Sequence, residues 1–138
     1  MIVLDTNVTS ELMKPTPSAA VAQWVRGQSA TDLYTTSITL AEIDYGIQRL
    51  PDGHRKDRLK AAADEIFSVF TEHVLPFDAA AAKHYGHLVS HRDRLGAPVE
   101  GFDAQIASIC RTRQATLATR NVKDFDDTGI SVIDPWSG

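Results

Sequence analysis

The sequence contains few of the residues that would assign it to a specialised class of protein. Its 138 residues include one cysteine, Cys110, so the chain can form neither an intramolecular disulfide nor a cysteine-rich zinc site. No stretch approaches the ~20 apolar residues of a membrane span, and the N-terminus lacks the basic residues of a signal peptide. We therefore expect a cytoplasmic protein with no membrane association, in which Cys110 is a small buried residue.

An excess of positive charge is also absent. The chain has 14 Lys and Arg against 18 Asp and Glu, a formal net charge of −4, which by itself argues against a nucleic-acid-binding protein. Acids clustered around a divalent cation, however, would lower the total without describing the remaining surface. A hydrophobic content of 43% is ordinary for a globular protein, and the length predicts one domain over residues 1–138.

Short apolar segments alternate with helical patterns along the chain. Strands are predicted over residues 2–4, 33–36, 74–77, 116–119 and 131–134, and helices over 10–13, 19–26, 38–50, 54–71, 79–95 and 103–113. Such alternation implies right-handed parallel crossovers. The predicted fold is therefore an α/β protein, a three-layer α/β/α sandwich with a short, mainly parallel central sheet.

Acidic residues recur where these predicted strands end. Asp5 follows the apolar run Ile2–Leu4, Glu42 follows the second strand, and Asp103 opens a later helix. Each has a structural alternative: Asp5 and Asp103 suit helix caps, and Thr39 with Glu42 fits an S/T-x-x-E capping box. Ligands of open α/β sheets bind at the carboxyl ends of strands, however, so the recurrence favours a shared site.

The predicted site suits a divalent cation. Asn121 and Asp124 follow the fourth strand and would join the acids at the same edge. Carboxylates gathered this closely repel one another unless a cation lies between them. Because the candidate ligands are all oxygen donors and the five histidines lack metal-ligand spacing, the set favours Mg²⁺ or Mn²⁺ over Zn²⁺.

Four stretches of the sequence resemble PIN-domain proteins, with the VapC and FitB-like toxins of bacterial toxin–antitoxin pairs as the closest subgroup. They are Leu4-Asp5-Thr6-Asn7-Val8 with Ser10-Glu11-Leu12, then Thr39-Leu40-Ala41-Glu42, then Phe102-Asp103-Ala104-Gln105-Ile106-Ala107, and then Ala118-Thr119-Arg120-Asn121-Val122-Lys123-Asp124-Phe125. The resemblance extends to the Asp134-Pro135-Trp136 ending.

This resemblance implies a Mg²⁺-dependent endoribonuclease, with Mn²⁺ as a possible substitute, that cleaves RNA as the toxin of a toxin–antitoxin module. Asp5 and Asp103 match the family's principal metal ligands, and Glu42 matches its third acid. Asn121 occupies a fourth catalytic position that is often aspartate, which leaves open whether one metal binds or two. A VapB-like antitoxin and a homodimer are the partners that the resemblance implies.

Other polar residues surround the predicted site. We expect Thr6 and Thr119 to hydrogen-bond a water molecule or a phosphate, and Arg120 and Lys123 to contact the RNA backbone, together with the basic helix start over residues 54–60. The alternative for the basic residues is a solvated helix face. Thr6, Thr119, Arg120 and Lys123 are therefore the predicted nucleic-acid-binding residues.

Two other functions compete with the nuclease. Asp5-Thr6-Asn7-Val8-Thr9 resembles the D-x-D-x-T motif of haloacid-dehalogenase phosphatases, with Asp5 as nucleophile. Asn7 then stands where that motif has its general acid, which would prevent proton donation. A non-catalytic PIN-like binding module is the other alternative, favoured by Asn121 and opposed by the three acids.

The homodimer also has a physical argument. The apolar stripe over residues 59–70, with Trp24 and Trp136, exceeds what one small core is expected to bury. An acidic pocket is also a target for an arginine of an inhibitory partner. The alternative is that every apolar residue is internal and the protein is a monomer.

Overall fold

In the computed structural model, which describes residues 1–137, five strands form one sheet. They are β1 (Ile2–Leu4), β2 (Leu33–Thr36), β3 (Val74–Leu75), β4 (Thr116–Ala118) and β5 (Ser131–Ile133). Their spatial order is β3-β2-β1-β4-β5, and all four pairings are parallel. The predicted α/β fold with a short parallel sheet is confirmed.

Six α-helices within residues 1–137 connect and cover the strands. They are α1 (Thr6–Leu12), α2 (Ala19–Arg26), α3 (Ser37–Gln48), α4 (His54–Val69), α5 (Ala79–Arg94) and α6 (Gly101–Arg113). Two short 3₁₀ helices, Ala30–Asp32 and Val122–Phe125, precede β2 and follow β4. Across residues 1–137, no helix combines the length and apolarity that a membrane crossing requires.

The sheet separates two apolar cores, as a three-layer sandwich requires. Consecutive residues of a strand point to opposite faces, and accordingly Val3 packs with Leu88 and Ile106 of α5 and α6 on one side. Leu4 packs with Val21 of α2 on the other side. Val3 and Leu4 are fully buried, one on each face, which explains why this strand is an unbroken apolar run.

The strand order places β1 between β2 and β4. Ile2 pairs with Leu33 of β2, and Leu4 pairs with Ala118 of β4. The chain therefore leaves these three strands at one edge of the sheet, and we call this edge the carboxyl edge. Asp5 and Thr119 lie at this edge, and α3 begins there.

Two helices begin at different residues from those predicted. Helix α1 starts at Thr6 rather than near residue 10, because the Asp5 side chain caps it by accepting a hydrogen bond from the Thr6 N–H. Helix α3 is capped by Thr36, whose hydroxyl oxygen accepts from the Thr39 N–H at 3.1 Å. The structural alternative of a capping box formed by Thr39 and Glu42 is therefore excluded, and helix capping does not account for Glu42.

The start of α6 also differs. Glu100 is its N-cap, and one carboxylate oxygen accepts from the N–H groups of Phe102 at 3.0 Å and Asp103 at 3.2 Å. Asp103 therefore lies in the first turn instead of opening the helix. Its carboxylate is not required for capping.

Helix α4 is the least buried of the helices. Each of its residues keeps part of its surface exposed, and Val69 is 73% exposed. Trp24 and Trp136 pack only partly against the core around Leu4. Cys110, by contrast, is completely buried as predicted, and burial raises the pKa of its thiol to about 12.

Candidate active site

Asp5 stands at the centre of the carboxyl edge and is only 4% exposed. One of its carboxylate oxygens accepts from the Thr6 N–H at 2.8 Å, and the other accepts from the Thr119 hydroxyl at 2.7 Å. Burial raises the pKa of Asp5, although both hydrogen bonds oppose the shift. The nearby charge of Asp124 raises it further. The carboxylate is thus held in one orientation, and each oxygen retains lone-pair capacity.

Thr119 joins the ends of β1 and β4. Its hydroxyl donates to Asp5 and accepts from the Asn7 side-chain amide at 3.2 Å and from the Asn121 N–H at 3.1 Å. Thr119 is completely buried, and its predicted contact with RNA stays a prediction. Its hydroxyl positions Asp5.

Asn7 was not among the predicted site residues. Its amide nitrogen donates to Thr119, and its amide oxygen accepts from the Arg120 N–H at 3.3 Å. An amide can both donate and accept, so Asn7 connects α1 to the segment that follows β4. Its position two residues after Asp5 is the only signal in the sequence, and that signal also fits a turn.

Glu42 projects from the second turn of α3 and is half-buried. The Thr6 hydroxyl donates to its Oε1 at 2.8 Å and lies 3.0 Å from the Thr39 hydroxyl. Burial raises the pKa of Glu42, and the charges of Asp5 and Glu100 add to the shift. The Thr6 hydroxyl thus orients Glu42, and the predicted contact between Thr6 and nucleic acid has no support in this geometry.

Asp103 lies in the first turn of α6, and the neighbouring acids affect the pKa of its carboxyl group. Burial and then the negative charges of Asp5, Glu100, Asp124 and Glu42 raise its pKa to about 7. A charge perturbs a pKa this way only at short range. The structure therefore brings together the three predicted acids, which lie far apart in sequence, and Asp124, which was expected at the same edge. It adds Glu100 to them.

The segment after β4 completes the carboxyl edge. Asn121 and Asp124 are both exposed, and the Asn121 carbonyl accepts from the Asp124 N–H at 3.0 Å. The negative charge of Asp124 raises the pKa of both Asp5 and Asp103. Glu100, which also shapes the electrostatics, was missed because it precedes its helix in a loop without a recognisable motif.

The donor chemistry of this edge fits a hydrated divalent cation. Several carboxylates raise one another's pKa there, so a cation would relieve real repulsion. Yet within residues 1–137 no three or more Asp, Glu, His and Cys side chains converge tightly enough to enclose a metal ion. Such an arrangement suits Mg²⁺, which commonly keeps several waters and takes one or two carboxylates, better than a closed zinc site.

A large cavity of about 880 Å³ extends from the acids along α3 and α4. Thr6 and Glu42 line it near the acids, and Arg55 and Arg58 line it along α4. Lys56 points elsewhere, donating to the Gln48 carbonyl and to Asp52 at 3.3 and 3.4 Å. Only part of the predicted basic cluster over residues 54–60 therefore faces this cavity.

Arg120 and Lys123 are both exposed beside the acids. The guanidinium carbon of Arg120 lies 5.0 Å from the centroid of the Trp136 ring. Both cations are accessible to a ligand that reaches the carboxyl edge. Their contact with RNA remains a prediction.

Comparison with known proteins extends over nearly the whole chain. The model of the PIN domain family matches residues 2–130. The plasmid stability protein StbB of Pseudomonas syringae pv. tomato is 39% identical over 137 residues, 99% of each chain. The VapC ribonuclease Y4jK of Sinorhizobium fredii is 35% identical over 137 residues, 99% of this chain and 98% of its own.

A solved structure is similarly close. The toxin FitB of Neisseria gonorrhoeae is 33% identical over 137 residues, 99% of each chain. The crystal structure of FitAcB from the same organism superposes with a TM-score of 0.91 at 33% identity, covering 99% of each chain. The superposition therefore spans the part of the chain that forms the carboxyl edge.

Proposed function

This chain belongs to the PIN domain family, and on that premise we propose that it is a VapC-type endoribonuclease that acts as the toxin of a toxin–antitoxin module. The observation that carries the proposal is the convergence of Asp5, Glu42 and Asp103 at the carboxyl edge, beside exposed cations. The similarity to a ribonuclease and to a toxin supports the same activity.

The proposal includes a divalent cation, Mg²⁺ or Mn²⁺, held by Asp5 and Asp103. When bound, such an ion supplies a coordinated water of lowered pKa and polarises phosphoryl oxygens. Asp5 would bind through the lone pairs that its bonds to Thr6 and Thr119 leave free. Asp124 stands near enough to help retain the ion through water, since its charge reaches both ligands.

Glu42 is the proposed proton acceptor. Its raised pKa makes it a stronger base than an exposed glutamate, and the Thr6 hydroxyl fixes one of its oxygens. The other oxygen is free to take a proton from the attacking water. Arg120 and Lys123 would contact the phosphates of the RNA, which positions the scissile bond without reading its sequence.

An antitoxin is the proposed inhibitor. The 880 Å³ cavity runs from Glu42 to Arg55 and Arg58, so a peptide segment lying in it would end at the acids. An arginine of that segment could pair with Asp5 or Asp103 and exclude the cation. Co-expression with a candidate antitoxin should restore growth and yield a complex. Harmless expression of the chain alone would contradict the toxin role.

We also propose a homodimer. Leu40, Leu95 and Phe102 are apolar yet 41%, 53% and 47% exposed, and exposed apolar surface is a common feature of interfaces. Sedimentation velocity at micromolar concentration is expected to show a dimer. A purely monomeric species would contradict it.

The test of the nuclease is cleavage of RNA in Mg²⁺ by the parent and by Asp103→Asn. We expect the variant to lose cleavage by at least about 100-fold, because it removes a ligand charge and keeps the shape. Asp32→Asn is the matched control, since Asp32 is exposed at the opposite edge of the sheet, before β2. Equal cleavage by all three proteins would exclude Asp103 from the site.

The same preparations distinguish the phosphatase alternative. Turnover of p-nitrophenyl phosphate by the parent, with RNA left intact, would favour Asp5 as a nucleophile. Binding of RNA without turnover of either substrate would favour the non-catalytic module.

A further inference from the structure

Trp136 lies one strand away from the acids, on the same edge of the sheet. Strand β5 pairs with β4, and the Thr119 N–H donates to the Ile133 carbonyl at 2.9 Å, where β5 ends. The chain then turns, and the backbone N–H of Trp136 donates to the Asp134 carboxylate at 2.9 Å. Trp136 is thus fixed near the residue that positions Asp5.

Arg120 occupies the space between Trp136 and the acids. The backbone N–H of Arg120 donates to the side-chain oxygen of Asn7. The guanidinium carbon of Arg120 lies 5.0 Å from the centroid of the Trp136 ring. Among residues 1–137, no carboxylate lies within ion-pair distance of Arg120. The charge is exposed and can bind an anion without first breaking an ion pair.

A second cavity, of about 380 Å³, opens beside Trp136. It is lined by Ala20, Gln23, Trp24, Pro135, Trp136 and Ser137. Both tryptophans of the protein therefore border one space, and each is buried only in part. The cavity combines flat aromatic surfaces with the Gln23 amide, which can donate and accept hydrogen bonds.

We propose that this cavity binds one unpaired base of the RNA, while Arg120 binds the phosphate between that base and the acids. This inference rests on the proposed ribonuclease function and adds a substrate subsite to it. Aromatic stacking with a neighbouring cation is how proteins hold single-stranded nucleic acid, because every base offers a flat face. A paired base could not enter, so the subsite selects single-stranded segments.

Fluorescence can observe this binding separately from cleavage. Trp24→Phe leaves Trp136 as the only tryptophan and keeps an aromatic ring in the cavity wall. A single-stranded oligoribonucleotide is titrated into this protein in EDTA, so that divalent-cation-dependent cleavage is suppressed. We expect the Trp136 emission to change on binding, and an oligonucleotide that is abasic throughout to produce no such change.

Affinity gives the second measurement. Trp136→Leu should weaken binding of the oligoribonucleotide on the order of 10-fold or more, and Trp136→Phe should recover most of the loss. Arg120→Gln should lower the slope of log K against log salt by about 1. The controls are Tyr45→Leu and Arg49→Gln, which alter another arginine–aromatic pair, 5.9 Å apart at the end of α3.

The outcomes separate the subsite from the nuclease. If the parent cleaves RNA but the Trp136 emission does not change, the subsite alone is overturned. A Trp136 response without cleavage in Mg²⁺ or Mn²⁺ supports the subsite and overturns the nuclease. If Trp136→Leu does not fold, Trp136→Phe and the emission change decide the matter. An emission change with a protein partner but none with RNA also overturns the proposal.

Discussion

At the scale of single residues, a threonine hydroxyl determines the geometry of the central acid. Thr119 is completely buried, and its hydroxyl donates a hydrogen bond to Asp5 with an oxygen–oxygen distance of 2.7 Å. Two donors, from Asn7 and Asn121, occupy its lone pairs, so the hydroxyl cannot rotate to another acceptor. The orientation of Asp5 therefore depends on Thr119 and on the two donors that hold its hydroxyl.

Thr119→Val should lower RNA cleavage by about 10–100-fold, as loss of a hydrogen bond to a metal ligand commonly does. The side chain keeps its shape, and two donors lose an acceptor, so some loss of stability is expected as well. Thr112→Val is the matched control, since its hydroxyl donates to the Ser108 carbonyl within α6. Equal losses of cleavage in the two variants would reduce Thr119 to a packing role.

Asp103 should make the stability of the metal-free protein depend on pH. Its pKa in the folded protein, about 7, lies above the ordinary value of 3.8, so ionisation opposes folding. This destabilisation is absent below about pH 4, grows as the pH rises, and is complete above about pH 7.

Thermal melting in EDTA between about pH 5 and about pH 8 checks this expectation. The parent should lose more stability over this range than Asp103→Asn, and added Mg²⁺ should reduce the difference at the upper end. Parallel curves for the two proteins would contradict the assigned pKa.

At the scale of secondary-structure elements, Arg92 holds two connections together. It is 6% exposed, and its guanidinium donates to the carbonyls of Ala97, Asp124 and Asp126. The first lies between α5 and α6, and the others lie in the turn that follows β4. The contact thus fixes the turn that carries Asp124 against α5 and the loop that leads into α6.

Arg92→Met should lower the free energy of unfolding by about 2–4 kcal/mol, because three carbonyls lose their donor in a poorly hydrated place. Arg94→Met, an exposed position on the same helix, is the control and should change stability little. Chemical denaturation of both variants measures the difference. A loss no larger than that of the control would show that water replaces the guanidinium.

The elements were largely predictable, and their ends were not. Strand β1 was predicted to the residue because an apolar run buried on both faces has no other good explanation. The starts of α1 and α3 were missed because Asp5 and Thr36 each have two possible roles in the sequence. Asp5 both caps a helix and stands at the centre of the acids, so the alternatives posed for it were not exclusive.

At the scale of the whole molecule, the convergence of the acids depends on strand order. Alternating strands and helices indicate a parallel sheet but do not specify that β1 lies between β2 and β4. Glu42 and Asp103 were nonetheless predicted, because the carboxyl edge collects ligands in any such order. The hydrogen bond from Thr119 to Asp5 was not predicted, since burial at an edge is decided by neighbours such as Asn7 that no local pattern reveals.

The central claim is that these acids hold a divalent cation required for RNA cleavage. The most direct measurement is cleavage of a single-stranded RNA by protein first freed of metal with a chelator and then given Mg²⁺ or Mn²⁺ in increasing amounts. The account predicts no cleavage in the chelator, restoration by either ion, and no restoration for Asp103→Asn. Full cleavage by the parent in excess chelator, or intact RNA at every concentration of both ions, would contradict it.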